Sequence, residues 1–154
     1  MQENKSFWSY KLNDWFRDFT SLGNPILLVF VPFIFLGNSS VFHYLLLALL
    51  INEIFCSLIK ILFPKKRPSG QTYSNLLEKI DAGSFPSIHA SRITIVYLTL
   101  FSNTESIAIK IAFISVIVLV FLSRVKLKKH FWIDVLSGFI IGVLIWYLLQ
   151  LILN

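Results

Sequence analysis

Residues 131–153 read FWIDVLSGFIIGVLIWYLLQLIL, an apolar stretch interrupted by one charged side chain, Asp134. A helix needs about 20 apolar residues to cross a hydrocarbon core, and this stretch has that length. A backbone crossing lipid must satisfy its own hydrogen bonds, and no alternating barrel pattern is visible, so the stretch predicts a transmembrane helix. Residues 41–63 form a second run of full spanning length. The runs at 22–36, 88–101 and 107–122 are shorter. They cross by recruiting flanking polar residues, by local thinning, or by burial in a bundle. Polar breaks at Gly37-Asn38-Ser39-Ser40 and Ser102-Asn103-Thr104 have the length of helical-hairpin turns. The fold class is therefore all-α: a single integral-membrane helical bundle over 1–154, with about five transmembrane helices.

Composition supports that class independently. The chain is 56% hydrophobic and 16% aromatic with a mean hydropathy of +0.73, which excludes an ordinary soluble domain. Its net charge of +6 comes from basic residues that flank the spans, which points to a bilayer and anionic substrates and away from nucleic acid. Cys56 is the one cysteine and sits in an apolar run, so no disulfide framework or redox motif is expected. Residues 1–5 open no cleavable leader pattern. Over 6–20, Trp8, Leu12, Trp15, Phe16 and Phe19 recur at helical spacing with charged residues between them, predicting an amphipathic helix in the headgroup layer.

Three polar clusters stand at the ends of the apolar runs: Lys60-x6-Arg67-Pro68, Pro86-Ser87-Ile88-His89, and Ser123-Arg124-x5-His130-x3-Asp134. A five-span topology puts all three at one membrane face. Together they supply three cations, two histidines and a carboxylate, the inventory for metal-free phosphoryl transfer through a histidine nucleophile. Ser87 is a natural N-cap, and the amides after it form an anion-binding helix end. Arg67 and Arg124 offer planar donor forks for phosphoryl oxygens, and Lys60 adds a point charge. His130 and Asp134 are four apart, so the carboxylate is expected to hold one ring nitrogen protonated and leave the other to attack phosphorus. His89 remains to protonate the leaving oxygen and then activate water. No carboxylate or histidine cluster has metal-ligand spacing, so neither a metal nor another cofactor is expected.

In order and spacing, these clusters resemble the signature of the type 2 phosphatidic acid phosphatase superfamily, KxxxxxxRP, PSGH and SRxxxxxHxxxD, which includes membrane lipid phosphatases and the vanadium haloperoxidases. The resemblance covers 60–134, about half of the chain, and departs at Ile88, where the family has glycine. It implies His130 as nucleophile, Asp134 as its orienter and His89 as acid–base. Lys60, Arg67, Ser87, Ile88 and Arg124 then form the phosphate cradle. Many members have six spans, and the helix over 6–20 stands in place of their first. Ile88 keeps its amide hydrogen, and its bulk is read as tuning substrate fit.

The implied activity is metal-independent hydrolysis of a phosphomonoester or diphosphate on a membrane lipid, of the phosphatidylglycerophosphate, phosphatidic acid or polyprenyl diphosphate type. A lipid phosphotransferase with the same phosphohistidine, and a non-enzymatic scaffold or channel, are the alternatives. A soluble haloperoxidase is excluded by the hydropathy. Loop 64–87 is read as an active-site loop in which Asn75 and Glu78 cap a short helix at 74–80, forming a lid or interfacial segment, with a solvated connector as the alternative. Lys65, Lys66, Lys126, Lys128 and Lys129 read as headgroup anchors, and His43 as an interfacial residue at the opposite face. Glu53 and Arg92, ionisable groups inside spans, are candidates for pairing with each other. Basic residues crowd the motif side, with Lys110 alone on the other, so the chain is expected in the inner membrane with its site facing the cytoplasm.

Overall fold

The computed structural model describes residues 15–16, 39–70 and 83–153. Trp15 and Phe16 are helical, while the rest of the 6–20 helix, the span at 22–36 and the segment 74–80 lie outside the described residues. Four long helices follow: α1 (Ser39–Leu62), α2 (Ile88–Ser102), α3 (Ile107–Lys126) and α4 (Trp132–Leu153). No strand occurs among the described residues. Helices α1, α3 and α4 are long and apolar enough to cross a membrane. Helix α3 runs one turn beyond the apolar stretch read from sequence, so Arg124 lies in its last turn and not after it.

The bundle buries charged and polar side chains alongside an apolar core and turns apolar stripes outward. Leu50, Ile54, Leu58 and Ile61 form an exposed stripe on α1, and Ile133, Leu136, Ile140 and Leu144 form one on α4. Buried side chains include Asn52, Lys60, Arg67, Arg92, Arg124, His130 and Asp134. In water this distribution would drive aggregation; in lipid the outer stripes meet hydrocarbon and the polar groups find partners inside.

Helix α2, at 15 residues, is the shortest and the most enclosed, packing on α1, α3 and above all α4. Its hydroxyls bury without loss because each bonds back to its own helix: Ser91 to Ile88 O, Thr94 to Ala90 O and Thr99 to Ile95 O. Close approach to α4 depends on Gly138 and Gly142. A Cβ at Gly138 would fall 2.3 Å from Ser87 O, and one at Gly142 would fall 2.7 Å from Ser91 O. Such a small-x3-small spacing lets two spanning helices pack backbone to backbone. Away from the motifs, Tyr44, Leu45, Leu49, Ile95, Val96, Ile145 and Leu149 close the core, and Tyr44 Oη donates to Trp146 O at 2.6 Å.

Candidate active site

The end of α1, the start of α2, the end of α3 and the start of α4 converge at one end of the bundle. Ser87 caps α2, its hydroxyl accepting from Ala90 N at 3.4 Å. Its own amide donates to Asp134 O at 2.9 Å, which pins the α2 entry to the first turn of α4. The Ile88 and His89 amides have no partner among the described residues and remain donors at the helix end. Ile88 packs its side chain into the core, 8% exposed.

The turn from α3 to α4 places His130. Lys128 adopts a left-handed backbone (φ 53°), a conformation more common for glycine at a helix end. That reversal lets Arg124 O accept from both Lys129 N (3.1 Å) and His130 N (3.2 Å). The Arg124 side chain returns to the same residue, its Nη2 lying 3.3 Å from His130 Nε2.

The His130 ring shows where its proton lies. Nδ1 is 2.7 Å from Ser84 O, and a carbonyl only accepts, so Nδ1 carries the hydrogen. A guanidinium only donates, so Nε2 presents a lone pair. Both partners select the same tautomer. Burial and then the Arg124 charge push the ring from 6.5 down to about 2, with the Ser84 carbonyl opposing them, so His130 is neutral at physiological pH. The charges of Lys60 and Arg67 also bear on this ring, and those of Arg124, Arg92 and Lys60 on His89. Lys60, Arg67 and Arg124 are all buried, at 4%, 9% and 4% exposure. An unprotonated nitrogen, a second histidine and three inward cations suit a tetrahedral oxyanion.

Asp134 departs from the sequence expectation. Its carboxylate does not hold the His130 ring. It accepts from Lys65 Nζ at 2.6 Å, from the Ser84 hydroxyl, and from Phe131 N at 2.8 Å. The physical reason is helix capping: as the third residue of α4, Asp134 turns back onto the amide just before the helix, the reciprocal arm of a capping box. It reaches His130 only through Ser84, whose hydroxyl it grips and whose carbonyl grips the ring.

Lys65 also departs from its reading as a headgroup anchor. Besides binding Asp134, its ammonium lies 4.7 Å from the Phe131 ring centroid and 5.9 Å from that of Phe85, while its carbonyl accepts from Ser84 N at 2.7 Å. Lys65, Ser84 and Asp134 thus form a closed ring behind the histidine. Glu53 and Arg92 do pair, Arg92 Nε bonding Oε1 and Nη2 lying 2.5 Å from Oε2. His43 lines a cavity of about 520 Å³ at the opposite end of the bundle, with Tyr44, Asn103 and Gln150. Among the described residues, no group of three or more His, Cys, Asp or Glu side chains is placed to hold a metal ion.

Comparison with known proteins agrees with this architecture. The sequence profile of the PAP2 superfamily matches residues 42–154. The fold superposes on LpxE of Aquifex aeolicus with a TM-score of 0.76 at 22% identity, over 96% of this chain and 88% of that one. It superposes on a transmembrane PAP2-type phosphatidylglycerolphosphate phosphatase from Bacillus subtilis with a TM-score of 0.72 at 23% identity, over 97% of this chain and 78% of that one.

Proposed function

Because the chain belongs to the PAP2 superfamily and has its membrane fold, we propose that it is a lipid phosphatase working through a phosphohistidine. The supporting observation is the His130 ring, fixed by Ser84 O with its Nε2 lone pair in the cationic pocket. Lys60, Arg67, Arg124 and the open α2 amides hold the phosphoryl oxygens. His130 Nε2 attacks phosphorus, and the bond to the lipid oxygen breaks as that oxygen takes a proton from His89, which the charge of the bound phosphate dianion keeps protonated. Water, deprotonated by His89, then displaces phosphate from His130. Charge stabilisation comes from the side-chain cations, so the scheme needs no metal.

The substrate is a lipid phosphate of the phosphatidic acid, phosphatidylglycerophosphate or polyprenyl diphosphate type, reached from the bilayer. The site faces the cytoplasm, since Lys65, Lys66, Lys126, Lys128 and Lys129 cluster at its end of the bundle.

The test is phosphate release by the purified protein from these three lipids in excess chelator, with labelled substrate trapped on the enzyme. Release should persist in chelator, vanadate should inhibit, and label should map to His130. Activity lost to chelator and restored by magnesium, or label retained in His130→Ala, would overturn the mechanism.

A further inference from the structure

A polar column descends from the site between α1 and α2. Cys56 Sγ lies 3.6 Å from both Asn52 Oδ1 and Ser91 Oγ, which sets the two helices in register. Four residues above Cys56 is Lys60, in the phosphate cradle, and three below it is Glu53. On α2, Arg92 is three residues beyond His89, a rise of about 4.5 Å. The column therefore runs from the reacting centre to the Glu53–Arg92 pair, about one turn beyond His89 on α2 and about two turns beyond Lys60 on α1.

This pair is poorly explained as a packing device. Charges inside a spanning bundle cost desolvation that pairing only partly offsets, and they mark sites that handle polar ligands. The Glu53 side chain is 39% exposed, so the pair is not sealed, while Arg92 is 90% enclosed. Glu53 engages Nε and Nη2 of the guanidinium. Nη1 has no partner among the described residues, which leaves donors on the edge turned away from the carboxylate.

We propose that Arg92, clamped by Glu53, is a second anion-binding point that takes the phosphorus group neighbouring the scissile phosphate. This rests on the phosphatase reading. His89 protonates the leaving oxygen, so whatever that oxygen carries extends toward the next turn of α2. In a lipid diphosphate, that is a phosphate one oxygen away. In a lipid with a terminal phosphate on a phosphodiester-linked glycerol, it is the phosphodiester. Phosphatidic acid offers no anion there. Glu53 fixes the orientation of the fork and, by leaving the pair neutral, keeps the empty subsite from carrying an uncompensated charge.

The experiment compares kcat/KM for phosphatidic acid, phosphatidylglycerophosphate and a polyprenyl diphosphate in detergent micelles, for the wild type, Arg92→Gln and the double variant Glu53→Gln/Arg92→Gln. Loss of one charge-assisted contact predicts that the preference for doubly phosphorylated lipids over phosphatidic acid falls about 10- to 100-fold, chiefly through KM. A fall confined to the diphosphate or to the glycerol-linked lipid identifies which source the subsite serves. The double variant keeps the position neutral, so it carries the test if Arg92→Gln alone misfolds. An unchanged preference in the folded variants, or an equal loss on all three lipids, overturns the subsite. Failure of the wild type to release phosphate from any of them overturns the phosphatase reading and the subsite with it.

Discussion

The carbonyl of Ser84 accepts from His130 Nδ1 at 2.7 Å, while the hydroxyl of the same serine is held by Asp134. A carboxylate four residues after the histidine thus acts through a serine forty-six residues before that histidine. If His130 is the nucleophile, Asp134 and Ser84 are positioning residues that work in series. Asp134→Asn and Ser84→Ala should each lower kcat about 10- to 100-fold with little change in KM. The double variant should be little worse than the poorer single one, because both remove the same constraint. His130→Ala should be far more damaging. Multiplicative losses in the double variant would show that Asp134 acts on the ring by another route.

Burial of a neutral His130 links stability to pH. Its value in the fold, about 2, lies below the ordinary 6.5. Below pH 6.5 the unfolded chain binds a proton that the native site refuses, so this residue costs stability as pH falls and has no effect above that value. One such group removes about 2 kcal/mol between pH 6.5 and pH 5. Thermal melts in detergent should record that slope in the wild type and a shallower one in His130→Gln. Identical slopes would mean that the ring is protonated in the native protein.

Gly138 should tolerate no side chain. A methyl group there meets the Ser87 carbonyl at 2.3 Å, and a backbone atom has no rotamer by which to move aside. Gly138→Ala should cost about 1–3 kcal/mol and reduce turnover as well, because Ser87 caps the helix end next to the site. Gly142→Ala, opposite Ser91 O and Thr94 Cβ, should lower the melting temperature while sparing kcat. Wild-type melting and turnover in Gly138→Ala would contradict the packing.

Orientation is open to chemical probing. In a Cys56→Ser background, a cysteine at Ser69 lies at the catalytic end and one at Glu105 lies at the other, both exposed. A cytoplasmic site predicts that an impermeant thiol reagent labels position 105 but not 69 in intact cells. The reverse pattern would place the site on the outer face.

The gathering of the motif residues at one end of the bundle was legible in the sequence, and the contacts behind His130 were not. Lys60, Arg67, Ser87, Arg124 and His130 were legible because their spacing matches helix ends that must coincide in an antiparallel bundle. The Glu53–Arg92 pair was legible because charges are rare inside spans. Ser84 gave no signal: its role depends on a carbonyl and a hydroxyl used together, which no residue type announces. Lys65 lies in the run Lys65-Lys66-Arg67, where a lysine folded onto Asp134 reads the same as the exposed Lys66 beside it. The contact expected between Asp134 and His130 does not form because spacing of four puts two side chains on one face only within a helix, and His130 lies before α4 begins.

A single carboxylate caps α4, anchors Lys65 and grips Ser84, and it belongs to the helix that closes the described bundle. Before α4 packs in place, Ser84 and Lys65 lack the carboxylate that holds them, although α1, α2 and α3 already carry their cations. His130 is oriented only after α4 has docked its glycines against α2. If His130 is the nucleophile, activity then depends on a completed bundle, and a chain lacking a docked α4 should leave the lipids around it unhydrolysed.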